Sequence, residues 1–319
     1  IVYTGSFTPD QYSNSLTSGN YQASNVDKYV ETRMHNVTLQ YHSGVGFDVG
    51  GDYTHYTSDN NQTLLADYAD GGQSSFSIIG GQKIDRYSIY ADRKRHLAKE
   101  WNLGYGISYR FAKDRDFQTY DKVTGDIPTE NTDSRLREQT ANFYVSLSRN
   151  YATGTSVSVS ATGEYYTIGG YRKWAVYPQA SLTYVKSPKH LFQLSLSTDK
   201  NYPGYWDMQS SVSHLNGYTE LWGTPGLKPS TTYNLNGNYI WKQKYIFGLF
   251  FMHTSDFFVQ TGYQSTDRLA LIYKNTNWNY MQMWGANIIL PFKAGNWLDS
   301  RLTLVGMQVH QRCDDFFDI

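Results

Sequence analysis

Histidines, glycine pairs and hydroxyl residues are the side chains of this sequence that could support catalysis or cofactor binding. No pair of histidines has His-x-x-x-His or comparable zinc-ligand spacing, across His35, His42, His55, His96, His190, His214, His253 and His310. The sequence has no Gly-x-Ser-x-Gly elbow and no P-loop, and we expect Gly44-x-Gly46 and Gly104-x-Gly106 to lie inside strands. We therefore predict no catalytic residue, no metal site and no cofactor.

Acidic residues in two places could offer oxygen ligands to calcium. Asp67 and Asp70 precede Gly71, and Asp114 lies two residues before Asp116. Neither group follows the register of a calcium loop, so solvated loop carboxylates are the favoured interpretation.

Aromatic residues concentrate in one long polar stretch, at Tyr205, Trp206, Tyr218 and Trp222. Exposed rings of this kind can stack on sugars or hold peptides and metal chelates, so these four are the candidate ligand-binding residues. Packing between loops, or a place in an interfacial aromatic belt, explains the same residues without a ligand.

Composition favours a β-protein whose strands have one apolar and one polar side. The 319 residues are 16% aromatic, with 29 Tyr and 27 Gly, yet only 39% hydrophobic. The 28 basic and 28 acidic residues balance, so no net charge indicates a nucleic-acid partner. The single Cys313 cannot form an internal disulfide. No apolar run is long enough for a helical membrane span, which leaves membrane strands open.

Strict alternation of apolar and polar residues defines the strands. It is clearest from Trp101 to Phe111, where Ile107 and Tyr109 alternate with Ser108 and Arg110. Similar segments recur at residues 45–53, 141–147, 157–165, 180–184, 192–196, 233–241 and 284–290. About twelve such strands are predicted, each near the ~10 residues that cross a bilayer at a tilt.

The connections separate into short turns and long polar stretches. Short turns are predicted at residues 41–44, 92–99, 149–154, 186–189, 242–244 and 293–297, with a shorter link at 169–173. Long stretches are predicted at residues 58–82, 114–138, 199–231 and 255–277. This sorting is typical of an up-and-down outer-membrane barrel, with tight periplasmic turns and long external loops.

Such a barrel assigns roles to both strand faces. The polar face would line the lumen with Asp48, Asp52, Arg110, Asn142 and Asn236. Rings near strand ends would anchor the barrel at the two membrane interfaces, namely Trp101, Phe111, Tyr165, Trp241 and Trp297. Outer-membrane lipid is then the first partner.

Residues 201–239 read NYPGYWDMQSSVSHLNGYTELWGTPGLKPSTTYNLNGNY. This stretch resembles the β-barrel portion of TonB-dependent receptors of the Bacteroidetes type, the outer-membrane protein β-barrel family. The matching residues are Pro203, Tyr205, Trp206, Gly223, Pro225, Leu227, Lys228 and Pro229. The resemblance implies an all-β, antiparallel transmembrane barrel of which this chain is a part, within a whole of 22 strands.

It further implies uptake of a nutrient or metal chelate (oligosaccharide, peptide or siderophore-like), an N-terminal plug in the lumen, energy from TonB, and in some cases a surface lipoprotein partner. We expect residues 1–319 to be one barrel segment, with the plug and signal peptide outside it. The last strand of an outer-membrane barrel is expected to finish on an aromatic residue. This sequence instead stops after Phe316, Phe317 and Ile319 in a polar stretch, so we expect it to be a segment of a longer barrel. The alternatives are a surface binding or assembly protein without transport, and a barrel hydrolase, for which no Ser, His and acid grouping is evident.

Overall fold

The fold is described from a computed structural model that covers residues 1–20, 22–125 and 129–314. The terminal residues Phe316, Phe317 and Ile319 lie outside this part of the chain. The described chain forms one 15-stranded sheet. Its strands are β1 (Val2–Ser18), β2 (Gln22–His42), β3 (Phe47–Tyr68), β4 (Gln73–His96), β5 (Trp101–Thr124), β6 (Thr132–Asn150), β7 (Ser156–Ile168), β8 (Tyr171–Ser187), β9 (His190–Asn201), β10 (Val212–Asn216), β11 (Thr219–Trp222), β12 (Ser230–Trp241), β13 (Tyr245–Gln264), β14 (Leu271–Ala294) and β15 (Leu298–Arg312).

Sequential strands pair antiparallel from β1 to β9, then through β12, β13, β14 and β15. The short strands β10 and β11 belong to the connection between β9 and β12, so thirteen strands form the wall, close to the predicted twelve. The all-β, antiparallel up-and-down architecture is thus confirmed. Among the described residues, β1 pairs only with β2 and β15 only with β14, so they are the edges of this sheet.

The tight turns fall at or within a few residues of the predicted positions, except that β4 continues to His96 and the turn predicted at 92–99 is confined to residues 97–100; three of the four predicted long loops are mostly strand. β3 and β4 continue to a turn at residues 69–72, β5 and β6 extend to Thr124 and from Thr132, and β13 and β14 are joined by residues 265–270. These extensions carry polar residues on both faces, with only the short apolar pairs Leu64/Ala66 and Phe76/Ile78 on one of them, and backbone ladder bonds hold them in the sheet. Within the described ranges, only residues 202–229 form a long connection, which we call the luminal loop.

One predicted strand position was also wrong. Gly44 and Gly46 lie in the turn between β2 and β3, where Gly46 has a φ of +74°. A side chain there would be strained in the left-handed region. Gly104 and Gly106 lie within β5, as predicted.

The apolar rows lie on the outside of the sheet. Ile107, Leu194 and Leu249 are 59%, 51% and 70% exposed, although they belong to the most regular strands. From Trp101 to Phe111 the strand rises about 34 Å, which spans about 25 Å when tilted by roughly 45°, the height of an outer-membrane apolar band. Trp101, Trp241 and Trp297 lie at the tight-turn end of this band. No helix in the described ranges is long and apolar enough to cross a membrane.

The inner side of the sheet is identified by the luminal loop. This loop leaves β9 and returns to β12, yet Gln22 on β2 donates to Asn216 in the loop at 2.9 Å. Neighbouring strands are about 4.8 Å apart, so this contact requires the sheet to curl around the loop. We call the side facing the loop the luminal face.

Two small apolar clusters lie between this face and the loop. One contains Val26, Leu64, Ala66, Phe76 and Ile78, and the other Leu136, Tyr166, Ile168, Met208 and Leu227.

Candidate ligand-binding site on the luminal face

The hairpin β10–β11 bridges opposite parts of the curled sheet. Thr219–Trp222 pairs parallel with the start of β14. On the other side, Gln62 and Gln118 bond to the β10 backbone through both ends of their side-chain amides. Gln118 donates to the Val212 carbonyl at 2.6 Å and accepts from the Val212 N–H at 2.7 Å, and Gln62 bonds to His214 in the same way. These two side chains replace a missing partner strand, because an amide offers the same donor and acceptor as a peptide group.

His214 is the buried centre of this contact. Its side chain is 3% exposed, its Nε2 lies 3.0 Å from the Tyr120 hydroxyl, and its ring centroid lies 4.6 Å from that of Phe76. Burial lowers the pKa of His214 to about 4; the nearby Glu220 opposes this shift and Arg268 adds to it. The imidazole is therefore neutral at physiological pH.

Glu220 holds the β11 side of the hairpin in place. Both its carboxylate oxygens accept from the Arg268 guanidinium at 2.6 Å, and one accepts from Trp222 Nε1 at 2.7 Å. Burial opposes its charge, yet the Arg268 bonds keep the pKa of Glu220 below its ordinary value. A bidentate, charge-assisted pair of this kind is geometrically specific, so it holds the hairpin to the β13–β14 turn.

A second group of contacts anchors the beginning of the luminal loop. The Lys200 ammonium pairs with Glu164, which also accepts from the Tyr202 hydroxyl, and Glu138 accepts from the Tyr205 hydroxyl. Lys200 Nζ lies 4.3 Å from the Tyr166 ring centroid. The Lys200–Glu164 pair is 9% and 5% exposed, so losing either partner would leave a buried charge.

The residues behind the family resemblance act mainly as anchors of this loop. Leu227 is buried in the second apolar cluster, which also contains Met208 of the loop, and Pro229 is fully buried. At Gly223 an added Cβ would lie 2.0 Å from the carbonyl oxygen of Gln209, so the backbone approach requires glycine.

A cavity of about 230 Å³ with a mixed polar and apolar lining lies between the loop and the luminal face of β2–β5. The polar part of its lining consists of amide and hydroxyl side chains, including Asn60, Gln62, Gln82, Gln118, Gln209 and Ser211, with Lys28, and the apolar part includes Val30, Ile78 and Trp206. Lys28 Nζ lies 5.6 Å from the Trp206 ring centroid. Burial lowers the pKa of Lys28. The arrangement offers neutral hydrogen-bonding groups beside apolar and aromatic residues, among them Tyr56 and Trp206.

The four predicted aromatic residues do not form one cluster. Only Trp206 lines the cavity. Tyr205 packs against the second apolar cluster, the Tyr218 ring lies 4.9 Å from Tyr68, and Trp222 bonds to Glu220. Sequence reasoning missed the glutamines, because isolated glutamines on polar strand extensions carry no recognisable motif.

The five predicted lumen residues lie on the face opposite the exposed apolar rows. Asp52 accepts from Ser88, Asn142 donates to Ser108 at 3.4 Å, and Arg110 lies opposite Ser88 on the same face. Asp48 contacts His42 at 2.9 Å, and Asn236 follows the outward Leu235. That these groups hydrate a passage or bond to a plug stays a prediction.

The calcium interpretation finds no support. Asp67 accepts from Gln73 and Asp70 from the Gly72 N–H, so both are used in a turn. Asp114 and Asp116 are not solvated loop carboxylates: they are 3% and 2% exposed beneath the luminal loop. Burial and the nearby Asp116 raise the pKa of Asp114 to about 7. Within the described ranges, no group of three or more His, Cys, Asp or Glu could hold a metal ion.

The profile of the outer membrane protein beta-barrel family matches residues 42–317. The chain belongs to this family. The apolar rows on the outside of this family member therefore lie in the bacterial outer membrane. No curated protein matches the sequence.

Several solved receptor structures are similar to this family member at low identity. The siderophore receptor PirA from Pseudomonas aeruginosa has a TM-score of 0.49 and 11% identity, covering 97% of this chain and 62% of its own. The Serratia marcescens hemophore receptor HasR has a TM-score of 0.48 and 10% identity, covering 96% and 58%. The copper transporter OprC has a TM-score of 0.48 and 10% identity, covering 97% and 60%. The chain thus spans less than two thirds of each.

Proposed function

We propose that this chain forms part of the wall of an outer-membrane receptor that captures a polar nutrient beneath the luminal loop and passes it into the barrel. The observation that carries the proposal is the cavity enclosed between this loop and the luminal face, with Trp206 in its lining. The resemblance at residues 201–239 supports a receptor that is TonB-dependent and of the Bacteroidetes type. Its partners would be its own plug and TonB, and in some systems a surface lipoprotein.

The lining favours a neutral, hydroxyl- or amide-rich ligand over an anionic chelate. Amides donate and accept in nearly equal number, which suits sugar hydroxyls, and an aromatic face stacks on a sugar ring. Lys28 is the one cation in the lining, and burial disfavours its charge. The volume is below the ~300–1,000 Å³ that encloses a drug-sized ligand, so the cavity would hold one ring or a short segment of an oligosaccharide.

A binding experiment tests this function. The purified protein in detergent is titrated with neutral oligosaccharides, uncharged peptides and ferric chelates, by calorimetry. We expect the oligosaccharides to bind, and W206A to weaken binding by at least about fivefold, because an aromatic anchor in a binding site contributes more than ~1 kcal/mol. W174A is the matched control, since Trp174 is 77% exposed on the outward side of β8.

Failure of all three ligand classes to bind, or equal affinity of W206A and the unchanged protein, would contradict the proposed site. Uptake of the bound oligosaccharide by cells that carry the whole receptor then separates import from attachment alone. Binding without TonB-dependent uptake would favour the surface binding protein.

A further inference from the structure

A basic patch lies on the outward side of the wall, away from the luminal site. It consists of Lys83 on β4, Lys113 and Arg115 on β5, and Arg135 and Arg137 on β6. The strand register places these side chains in two rows. Asp85, Lys113 and Arg137 are directly opposite one another across the three strands, and Lys83, Arg115 and Arg135 form the next row. Rows on one face of a strand are separated by about 7 Å.

The patch has an excess of positive charge. Asp133 forms a bidentate pair with Arg115 at 2.8 Å, and Asp85 bonds to Tyr53 and His55 at 2.7 Å. These two carboxylates against five cations leave three positive charges in excess. All five cations are exposed, and their side chains surround an open depression of about 390 Å³.

The position of the patch relative to the membrane limits what it can bind. The row immediately below it contains Tyr87 and Phe111, and the next contains Ile89 and Tyr109, all on the lipid-facing side. Tyr87, Ile89, Tyr109 and Phe111 line an apolar groove of about 380 Å³. The cations therefore lie at the headgroup level of the outer leaflet, directly above this apolar groove.

We propose that the basic patch and this groove together form a binding site for a phosphate-bearing glycolipid of the outer leaflet, such as lipid A. Arg135, Arg137, Lys83 and Lys113 bind the headgroup phosphate, because guanidinium and ammonium groups form charge-assisted bonds to phosphate oxygens. The acyl chain lies against Tyr87, Ile89, Tyr109 and Phe111. The apolar groove favours a lipid over free phosphate, which has no apolar part to bury.

Native mass spectrometry of the detergent-purified protein with phosphorylated lipid A tests the site. The K83Q/K113Q/R135Q/R137Q variant should lose at least about tenfold in affinity, since each basic group near an anionic lipid contributes substantially to binding. The matched control is K186Q/K189Q/K242Q/K244Q, which removes four exposed cations at the tight-turn end. It should bind lipid A as the unchanged protein does, and both variants should keep the heat-dependent gel shift of a folded barrel.

Two further ligands distinguish the source of the phosphate. Dephosphorylated lipid A should bind the unchanged protein weakly. Its affinity should equal that of phosphorylated lipid A for the K83Q/K113Q/R135Q/R137Q variant. Inorganic phosphate should compete poorly. The proposal is overturned if the patch variant retains full affinity, if dephosphorylated lipid A binds equally well, or if inorganic phosphate displaces lipid A at equal concentration. None of these outcomes depends on ligand binding in the luminal cavity.

Discussion

At position 223 the luminal loop passes so close to the Gln209 carbonyl that no side chain fits. We expect G223A to move the loop from the wall and to destabilise its docked state by about 1–3 kcal/mol, the usual effect of forcing extra atoms into a packed contact. Hydrogen exchange of residues 202–229 measures this change. G226A is the control, because a Cβ at Gly226 meets nothing within 4 Å. Equal hydrogen exchange of residues 202–229 in G223A and G226A would contradict the requirement for glycine at position 223.

His214 makes docking of the hairpin sensitive to acid. Its pKa is lowered to about 4 in the docked state and rises towards its ordinary value of about 6.5 when the hairpin is released. Release therefore takes up a proton, so docking is fully stable above about pH 6.5 and weakens as the pH falls towards 4. Tyr120, Glu220 and Arg268 are the polar groups that surround the ring.

The measurement is protease sensitivity of the luminal loop as a function of pH. We expect cleavage to increase below pH 6.5 in the unchanged protein and to vary less with pH in H214Q. Asp114 contributes in the opposite direction: its raised pKa means that its contribution to stability decreases as the pH rises from about 4 to 7. Testing H214Q in a D114N background isolates the histidine, and an unchanged pH profile there would rule out its role.

At the scale of elements, the hairpin β10–β11 depends on two glutamines of the wall in place of a neighbouring strand. Q62E and Q118E keep the shape of each side chain, but an ionised carboxylate cannot donate to the carbonyls of His214 and Val212. We expect each substitution to weaken docking by about 1–3 kcal/mol, the effect of leaving a buried polar group unsatisfied. Hydrogen exchange at the β10 amides is the readout.

Q260E is the matched control, because Gln260 is exposed on the β13 extension. Its exchange pattern should equal that of the unchanged protein. Protection of β10 that survives in the Q62E/Q118E double variant would mean that apolar packing alone holds the hairpin.

At the scale of the whole molecule, the two faces of one strand lie in different solvents. Ile107 points into lipid at mid-membrane, whereas its neighbour Ser108 faces the lumen. We expect I107K to destabilise the barrel by about 2–4 kcal/mol, the effect of a lysine at the bilayer midplane. S108K should have a much smaller effect, because the lumen is polar. Urea unfolding in lipid vesicles compares them, and equal destabilisation would contradict the assigned orientation.

The sequence by itself determined the membrane wall. Period-two alternation, as in Trp101–Phe111, specifies both the strand and its lipid-facing side, since in a barrel each side meets one uniform solvent. The tight turns followed from the same pattern. The polar strand extensions could not be predicted, because polar residues lie on both of their faces and the apolar pairs Leu64/Ala66 and Phe76/Ile78 are too short to establish a period.

Only the tertiary structure decided how the luminal loop is used. It separated the four predicted aromatic residues, left Trp206 alone in the cavity, and gave Tyr205 an anchoring role through Glu138. The contacts that enclose the cavity join residues far apart in the chain, such as Gln62 and His214. Local pattern cannot specify such pairs, because they depend on how far the sheet curls, which is set by the pairing of all its strands together.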